Sequence, residues 1–483
     1  MLVHTGTRKT RGNMRSSDEK QAFRSIPSVD EILGAPEIAA LREAHPLFPW
    51  TRLARAVTSD VRAGRYGGLP ASREEARSMI VRAILSREAE LRTGGSKRVI
   101  NGTGVVLNTN LGRAVLPREA VDAVRDAMTH YVSLEIDLDS GKRSHRGDLL
   151  EDLIALATDA ERAMVVNNNA AAVWLVVSSF SPPGRVVVSR GELVEIGGSF
   201  RLPDILAGAA SDVIEIGTTN RTYAADYAAA ARPGDVFLKV HRSNYDIQGF
   251  THEAGVSELV GVAAEKKCFV VFDLGSGCLF DFASRGLAGE TRVQDAVRTG
   301  VDCVTMSGDK LLGGVQAGII AGKEAFVKKL GENPLRRALR IDKTTIAALQ
   351  ALLRVYLFGA SPETNVPILR QSVEGTEGLK SRADRIIAGI SPSMRAAFDV
   401  RSVEDTAAIG GGSFACQDLP SVAVAVRCES ESGAVALSRK MRRANIPILS
   451  RIKGNEVRIN LRSVLPYEDD EVASGLNAVL ETP

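Results

Sequence analysis

The sequence predicts an α/β protein in which a mostly parallel sheet is covered by helices on both faces. A small helical unit precedes it and a smaller α+β unit follows. Three observations carry this. Short apolar runs alternate with helical stretches from about residue 99 onward. Those runs are rich in β-branched residues, as strands buried on both faces are. Arg-rich helical patterning fills the region before residue 94.

The elements follow in order. Residues 1–24 form a basic tail, with Arg8, Lys9, Arg11, Arg15, Lys20 and Arg24 against Asp18 and Glu19. Such a run reads as a disordered, solvated segment. Ser28 caps a helix and Glu31 completes a capping-box pattern. Helical segments continue to about residue 93, and Thr93-Gly94-Gly95-Ser96 marks a boundary. Residues 25–94 thus form one helical unit. The strand candidates of the second unit, 95–370, are 163–166, 185–188, 213–216, 236–240, 269–272 and 303–306. Helical patterning covers Glu324 to about Phe358, and 361–367 breaks it. The last unit, 371–483, opens with a long helix and carries strands at 423–426, 446–450 and 456–461. Lys453-Gly454-Asn455 is the turn between the last two.

Bulk properties bound the function. The 483 residues suffice for two or three domains. A net charge of +3 is too small to argue for nucleic acid by itself. Cys268, Cys278, Cys303, Cys416 and Cys428 are scattered and odd in number. No spacing suits zinc, and buried thiols in a reducing compartment are expected. No apolar run approaches the ~20 residues of a membrane span, and no signal-peptide pattern opens the chain. The expectation is a cytoplasmic protein without membrane contact.

The unusual residues follow the strands, where ligands sit in open α/β sheets. Lys310 lies between a Ser-Gly turn and the Gly313-Gly314 pair, just after a strand. An amine there can reach an aldehyde carbon while backbone holds a phosphate, the geometry of a pyridoxal phosphate (PLP) Schiff base. A solvated loop lysine is the alternative. Asn167-Asn168-Asn169-Ala170-Ala171 follows a strand and opens a helix, which makes either an anion site or a capped structural helix. Asp273 ends an apolar strand 37 residues before Lys310. PLP needs such an anion beside its ring nitrogen. Phosphate loop, strand-end acid and lysine in this order are more specific than any one of them.

With these residues in place, the chain resembles the bacterial selenocysteine synthases, the L-seryl-tRNA(Sec) selenium transferases. The resemblance runs from about residue 25 to the C-terminus. It is carried by residues 101–113, the Asn167 segment, 189–201, 217–221, 239–244, 273–277 and the Lys310 motif. One departure stands out. Between Gly141 and Asp148 the family shows a Gly-Glu-Arg-Gly-type run, whereas this chain has Gly141-Lys142-Arg143-Ser144-His145-Arg146-Gly147.

The resemblance implies a PLP-dependent, aminotransferase-like (fold type I) large domain. It implies conversion of seryl-tRNA(Sec) to selenocysteinyl-tRNA(Sec), by elimination of water and addition of selenium from selenophosphate. Lys310 would carry PLP and act as base, and Asp273 would keep the ring protonated. Asn169, Ala170 and Ala171 would form the phosphate cup, and Ser307 would add a hydroxyl. His241 would stack on or bond to the ring, a plain core histidine being the alternative. Arg113, Arg337 and Arg340 would bind the selenophosphate anion, where a solvated basic helix is the alternative for the last two. The helical unit would bind tRNA. A homo-oligomeric ring of dimers would follow, with a decamer as one size. Two other functions fit parts of the pattern: a PLP enzyme acting on a free amino acid or amino sugar phosphate, and a tRNA-binding protein with a dead site.

Overall fold

The computed structural model describes residues 26–66, 68–180, 184–196, 200–210, 212–242 and 244–481. The basic tail lies outside them, as do Gly197, Gly198, Ser199 and Ser243 of the family-like motifs. The chain divides into two compact units, Met1–Arg98 and Val99–Pro483.

In the first unit, helices Val29–Leu33, Pro36–Ala44, Trp50–Arg62 and Arg73–Thr93 close around Ile32, Ile38, Trp50, Val57, Ile80 and Ile84. Ser28 accepts the Glu31 N–H at 3.2 Å, as the cap predicts. The Glu31 carboxylate, however, turns to Arg73 at 2.6 Å, an ion pair between the first and last helices. In Trp50–Arg62 the buried positions Ala54, Val57, Thr58 and Val61 make one face. Arg52, Arg55, Ser59 and Arg62 make an exposed stripe at helical spacing on another.

The second unit holds, in chain order, β1 Ile100–Gly102, β2 Val105–Leu107, β3 Arg162–Val166, β4 Arg185–Ser189, β5 Glu195–Ile196, β6 Phe200–Arg201, β7 Asp212–Ile216, β8 Val236–Val240, β9 Phe269–Gly275, β10 Cys303–Ser307, β11 Gly318–Gly322, β12 Val400–Gly410, β13 Ser413–Arg427, β14 Ile448–Lys453 and β15 Glu456–Asn460. Seven form one sheet in the order β3-β11-β10-β9-β8-β4-β7. Only β11 runs antiparallel to its neighbours. The mostly parallel sheet of the sequence reading is therefore present, with one strand it did not contain. Neighbouring residues along a strand point to opposite faces. Val304 and Ile319 enter one apolar cluster with Leu150 and Ile154, while Cys303 and Ile320 enter another with Val173 and Val176. Burial on both faces accounts for the unbroken apolar runs.

The other large sheet has the order β1-β14-β15-β13-β12-β2. Both of its edge strands come from residues 100–107, far in sequence from the rest. The patterning from Glu324 to Phe358 resolves into three helices, Glu324–Gly331, Leu335–Ala338 and Lys343–Phe358. Likewise the long helix expected after residue 370 is two, Pro367–Val373 and Thr376–Ala388.

β3, β8, β9 and β10 share one direction, so their carboxyl ends lie together. Asn167, His241, Asp273 and Gly308 stand at or just beyond those ends, and this edge positions the site.

Candidate active site

Lys310 is 7% exposed, in the turn that leaves β10. Backbone bonds fix the turn: Gly308 N–H donates to Ala317 O, Leu311 N–H to Ser276 O and Gly314 N–H to Gly308 O, at 2.8–3.0 Å. Glycine is required at 308, where a Cβ would lie 2.6 Å from Val315 O. The Lys310 amine hangs over Gly275, 3.8 Å from where a Cβ would stand there. Burial pushes its pKa below the usual lysine range; the Asp273 carboxylate opposes this and the Arg113 guanidinium adds to it.

Asp273 is buried on β9. Its Oδ1 accepts from Asn169 Nδ2 at 2.7 Å and from the Thr305 hydroxyl at 3.0 Å. Burial raises its pKa, and these two donors and the Lys310 charge hold it down. Thr305 pairs with Asp273 in register on β10, and the register then shifts before Met306. His241 donates its backbone N–H to Asp273 O at 2.9 Å, and its ring Nε2 stands 3.8 Å from Glu290.

At the start of helix Asn169–Ser179, Asn168 accepts the Ala171 N–H at 2.9 Å as an N-cap. That engages one of the three N–H groups expected to cradle a phosphate. Asn169 sends its amide to Asp273, and its own Oδ1 is buried without a partner among the described residues. Ser276 Oγ is in the same condition. Buried polar atoms normally find partners. Open acceptors beside a buried lysine and carboxylate suit a polar, phosphorylated ring cofactor. Ser307 is buried at the end of β10.

The three arginines expected to act as one set occupy two places in the chain. Arg113, at a left-handed φ of 67°, binds Asp309 Oδ2 at 2.6 Å, next to Lys310. Arg337 and Arg340 line a separate cavity of about 550 Å³ with Arg143, Arg146 and Arg336. The two places are linked through Asn167, whose N–H donates to Leu339 O at 3.0 Å. With its amide nitrogen facing the carbonyls, Asn167 also donates to Arg340 O at 3.0 Å.

Thr305, Asp309 and Glu290 were not among the residues read from sequence. Thr305 carried a signal, as a polar residue inside a strand that ends at the site. Asp309 carried another, as the acid preceding the lysine. Glu290 had none, lying in a loop.

Comparison with known proteins decides the family. The family profile of L-seryl-tRNA selenium transferase matches residues 99–465, and that of the selenocysteine synthase N terminus matches residues 23–62. The chain belongs to the L-seryl-tRNA selenium transferase family. The L-seryl-tRNA(Sec) selenium transferase of Actinobacillus pleuropneumoniae serotype 7 is 41% identical over 93% of this chain and 98% of its own length. The Moorella thermoacetica protein of that name is 40% identical over 96% and 98%. Among solved structures, D-glucosaminate-6-phosphate ammonia-lyase superposes with a TM-score of 0.56 at 18% identity, over 81% of this chain and 98% of its own. At that identity the likeness concerns the fold alone. It agrees with the fold-type I architecture expected from the sequence, while the near-full-length likeness at about 40% identity lies with the selenium transferases.

Proposed function

We propose that this protein converts L-seryl-tRNA(Sec) to L-selenocysteinyl-tRNA(Sec), with PLP as cofactor and selenophosphate as selenium donor. The observation that carries the reading is the buried Lys310–Asp273–Asn169 group at the sheet edge, in a chain 41% identical across 93% of its length to an enzyme of that name. PLP, when bound, serves as the electron sink for charge at the seryl α-carbon.

The protein groups divide the remaining work. Lys310 Nζ, with its pKa lowered by burial, is available unprotonated to attach the cofactor and then to take the seryl Cα proton. Asp273 Oδ2 is left for the ring nitrogen because both side-chain donors fall on Oδ1. Ala170 and the start of its helix serve the cofactor phosphate, with Asn169, Ala171 and Ser307 around it. His241 flanks the ring. Arg337 and Arg340 take selenophosphate, whose charge suits planar guanidinium forks, while Arg113 stands apart from them on Asp309, beside Lys310.

The helical unit, residues 25–94, is the tRNA-binding domain in this reading, followed by the large domain to residue 370 and the small domain beyond. The exposed Arg52, Arg55 and Arg62 stripe supports this, since phosphate backbone is bound by such exposed cations. Self-association is supported by exposed apolar side chains on two consecutive helices, Arg118–Thr129 and Asp148–Thr158, and their connection: Val121, Met128, Tyr131, Leu138, Leu149 and Leu156. A ring of dimers is the proposed assembly. Among the described residues no helix is long and apolar enough to cross a membrane. A cytoplasmic location is proposed with the tRNA substrate.

The test is conversion of seryl-tRNA(Sec) by purified protein supplied with PLP and selenophosphate. Selenocysteinyl-tRNA should form with wild type and not with Lys310→Ala, which should also lack the cofactor's visible absorbance. A colourless wild type after PLP addition, or consumption of free serine in place of seryl-tRNA, overturns the reading. Replacing Arg52 and Arg55 with Glu should weaken tRNA binding and flatten its salt dependence while leaving the absorbance intact.

A further inference from the structure

The cavity beside Arg337 and Arg340 contains a residue that an anion site would ordinarily exclude. Its walls come from loop residues Arg143 and Arg146 and from Arg336, Arg337 and Arg340, and three carboxylates line it with these five guanidiniums: Glu135, Glu151 and the exposed Glu332. Glu135 is spent on its neighbours, with Arg143 and Arg146 at 2.9 Å and Arg340 at 3.6 Å. The Arg337 guanidinium has no ion pair or hydrogen bond among the described residues, and so faces the cavity uncompensated.

Glu151 differs from Glu135. It sits in the first turn of helix Asp148–Thr158 with 13% of its side chain exposed. Its nearest cation, Arg336, is 3.8 Å away, too far for a hydrogen bond. Burial raises its pKa to about 7; Arg336 and Arg162 oppose the rise, and Asp148 and Asp152 on its own helix add to it. An ionised Glu151 repels an anion in this cavity, whereas a protonated one offers an O–H donor and leaves the five guanidiniums opposed by Glu135, already engaged by Arg143 and Arg146, and by the exposed Glu332.

We propose that Glu151 is a proton-dependent ligand of the anion bound in this cavity, donating its carboxyl hydrogen to a tetrahedral oxyanion held by Arg337 and Arg340. The inference rests on the reading of those two arginines as anion ligands. It adds a residue and a condition: anion uptake is coupled to uptake of a proton by the protein. Affinity is then highest below the Glu151 pKa and falls as the pH rises through it. His145 lines the same cavity and is the one imidazole among its lining residues. The experiment must separate the two.

Sulfate is the probe, because it does not itself titrate in this range. Full-length protein is titrated with sulfate by calorimetry at about pH 6 and about pH 8, at constant ionic strength. Wild type should bind about tenfold more tightly at the lower pH, the change in protonated fraction across one unit either side of the midpoint. Its binding heat should vary with buffer ionisation enthalpy. Glu151→Gln keeps a donor and loses the proton; it should bind almost equally at both pH values and show no buffer dependence. His145→Asn should retain the wild-type pH dependence, and Arg337→Ala should weaken binding at both. Binding by wild type that is independent of pH, or a pH dependence kept in Glu151→Gln or lost in His145→Asn, overturns the role of Glu151 alone. Failure of wild type to bind sulfate, or full binding by Arg337→Ala, overturns the anion reading of the cavity and Glu151 with it.

Discussion

Asn169 Nδ2 lies 2.7 Å from Asp273 Oδ1, and the Thr305 hydroxyl reaches the same oxygen at 3.0 Å. Three segments distant in sequence, the start of helix Asn169–Ser179, the later part of β9 and the middle of β10, are tied at one carboxylate. Burial drives Asp273 toward its neutral form, and the two donors favour the charged form. Thr305→Val removes one donor while nearly keeping the shape, so the Asp273 pKa must rise further. The ionised fraction at a given pH then falls. A hydrogen bond to a charged group contributes ~1.5–3 kcal/mol. PLP affinity should therefore drop about tenfold near pH 6 and converge with wild type at high pH. Thr305→Ser should restore it. A pH-independent loss, measured by absorbance titration, would assign Thr305 to packing instead.

Arg113 and Asp309 form a pair at 2.6 Å, with Lys310 next in the chain. Arg113 is one of the causes that lower the Lys310 pKa, after burial itself. In Arg113→Ala the amine pKa rises, and a smaller fraction is neutral at pH 7. Apo-protein should then take up PLP several-fold more slowly than wild type, with the gap closing as pH is raised. Arg113→Lys keeps the charge and should lie close to wild type. Stopped-flow absorbance follows the uptake. Equal rates at neutral pH would show that the guanidinium does not act on Lys310.

These two relationships mark how far the sequence could be read. Lys310 and Asp273 were legible because their signals are local: an apolar strand ending in an acid, and a lysine bracketed by glycines. The six strands that run parallel were legible for the same reason. β11 was not, because Gly318-Ile319-Ile320-Ala321-Gly322 follows the Lys310 turn too closely to suggest a strand of opposite direction. The pairing of residues 100–107 with strands more than 300 residues later was equally silent. Arg113 was found from a motif, but its partner Asp309 required the left-handed backbone at 113 and a contact across 196 residues. The division of the three arginines between two places depended on chain path, which no motif encodes.

On helix Thr376–Ala388, Arg382 is 4% exposed. It donates to Asp469 Oδ1 at 2.8 Å, to Val464 O at 2.9 Å and to Leu461 O at 3.2 Å. All three guanidinium nitrogens donate from helix Thr376–Ala388 to the segment after β15. Arg382→Ala leaves Asp469 buried beside open carbonyls, and losing one partner of a buried pair costs about 3–5 kcal/mol. The urea midpoint of the variant should fall accordingly. Arg382→Met with Asp469→Leu should recover part of the loss. A single-variant loss below about 1 kcal/mol would mean that water replaces the arginine.

Glu151 gives a stability signature independent of any ligand. Its folded-state pKa of about 7 lies above the ordinary 4.5 because burial disfavours the charge. Below the ordinary value the group is protonated whether the chain is folded or not, and no penalty exists. As pH rises toward 7 the unfolded chain releases the proton while the folded one retains it, so stability declines across that window. Above 7 the penalty is constant, about 3 kcal/mol from the size of the shift. Glu151→Gln carries no such penalty. It should therefore be more stable than wild type by about 3 kcal/mol near pH 8 and by only about 1 kcal/mol near pH 5, in urea unfolding at each pH. An equal gap at both values would mean that the substitution acts through packing, and a wild type favoured at pH 8 would show the carboxylate to be held by Arg336 after all.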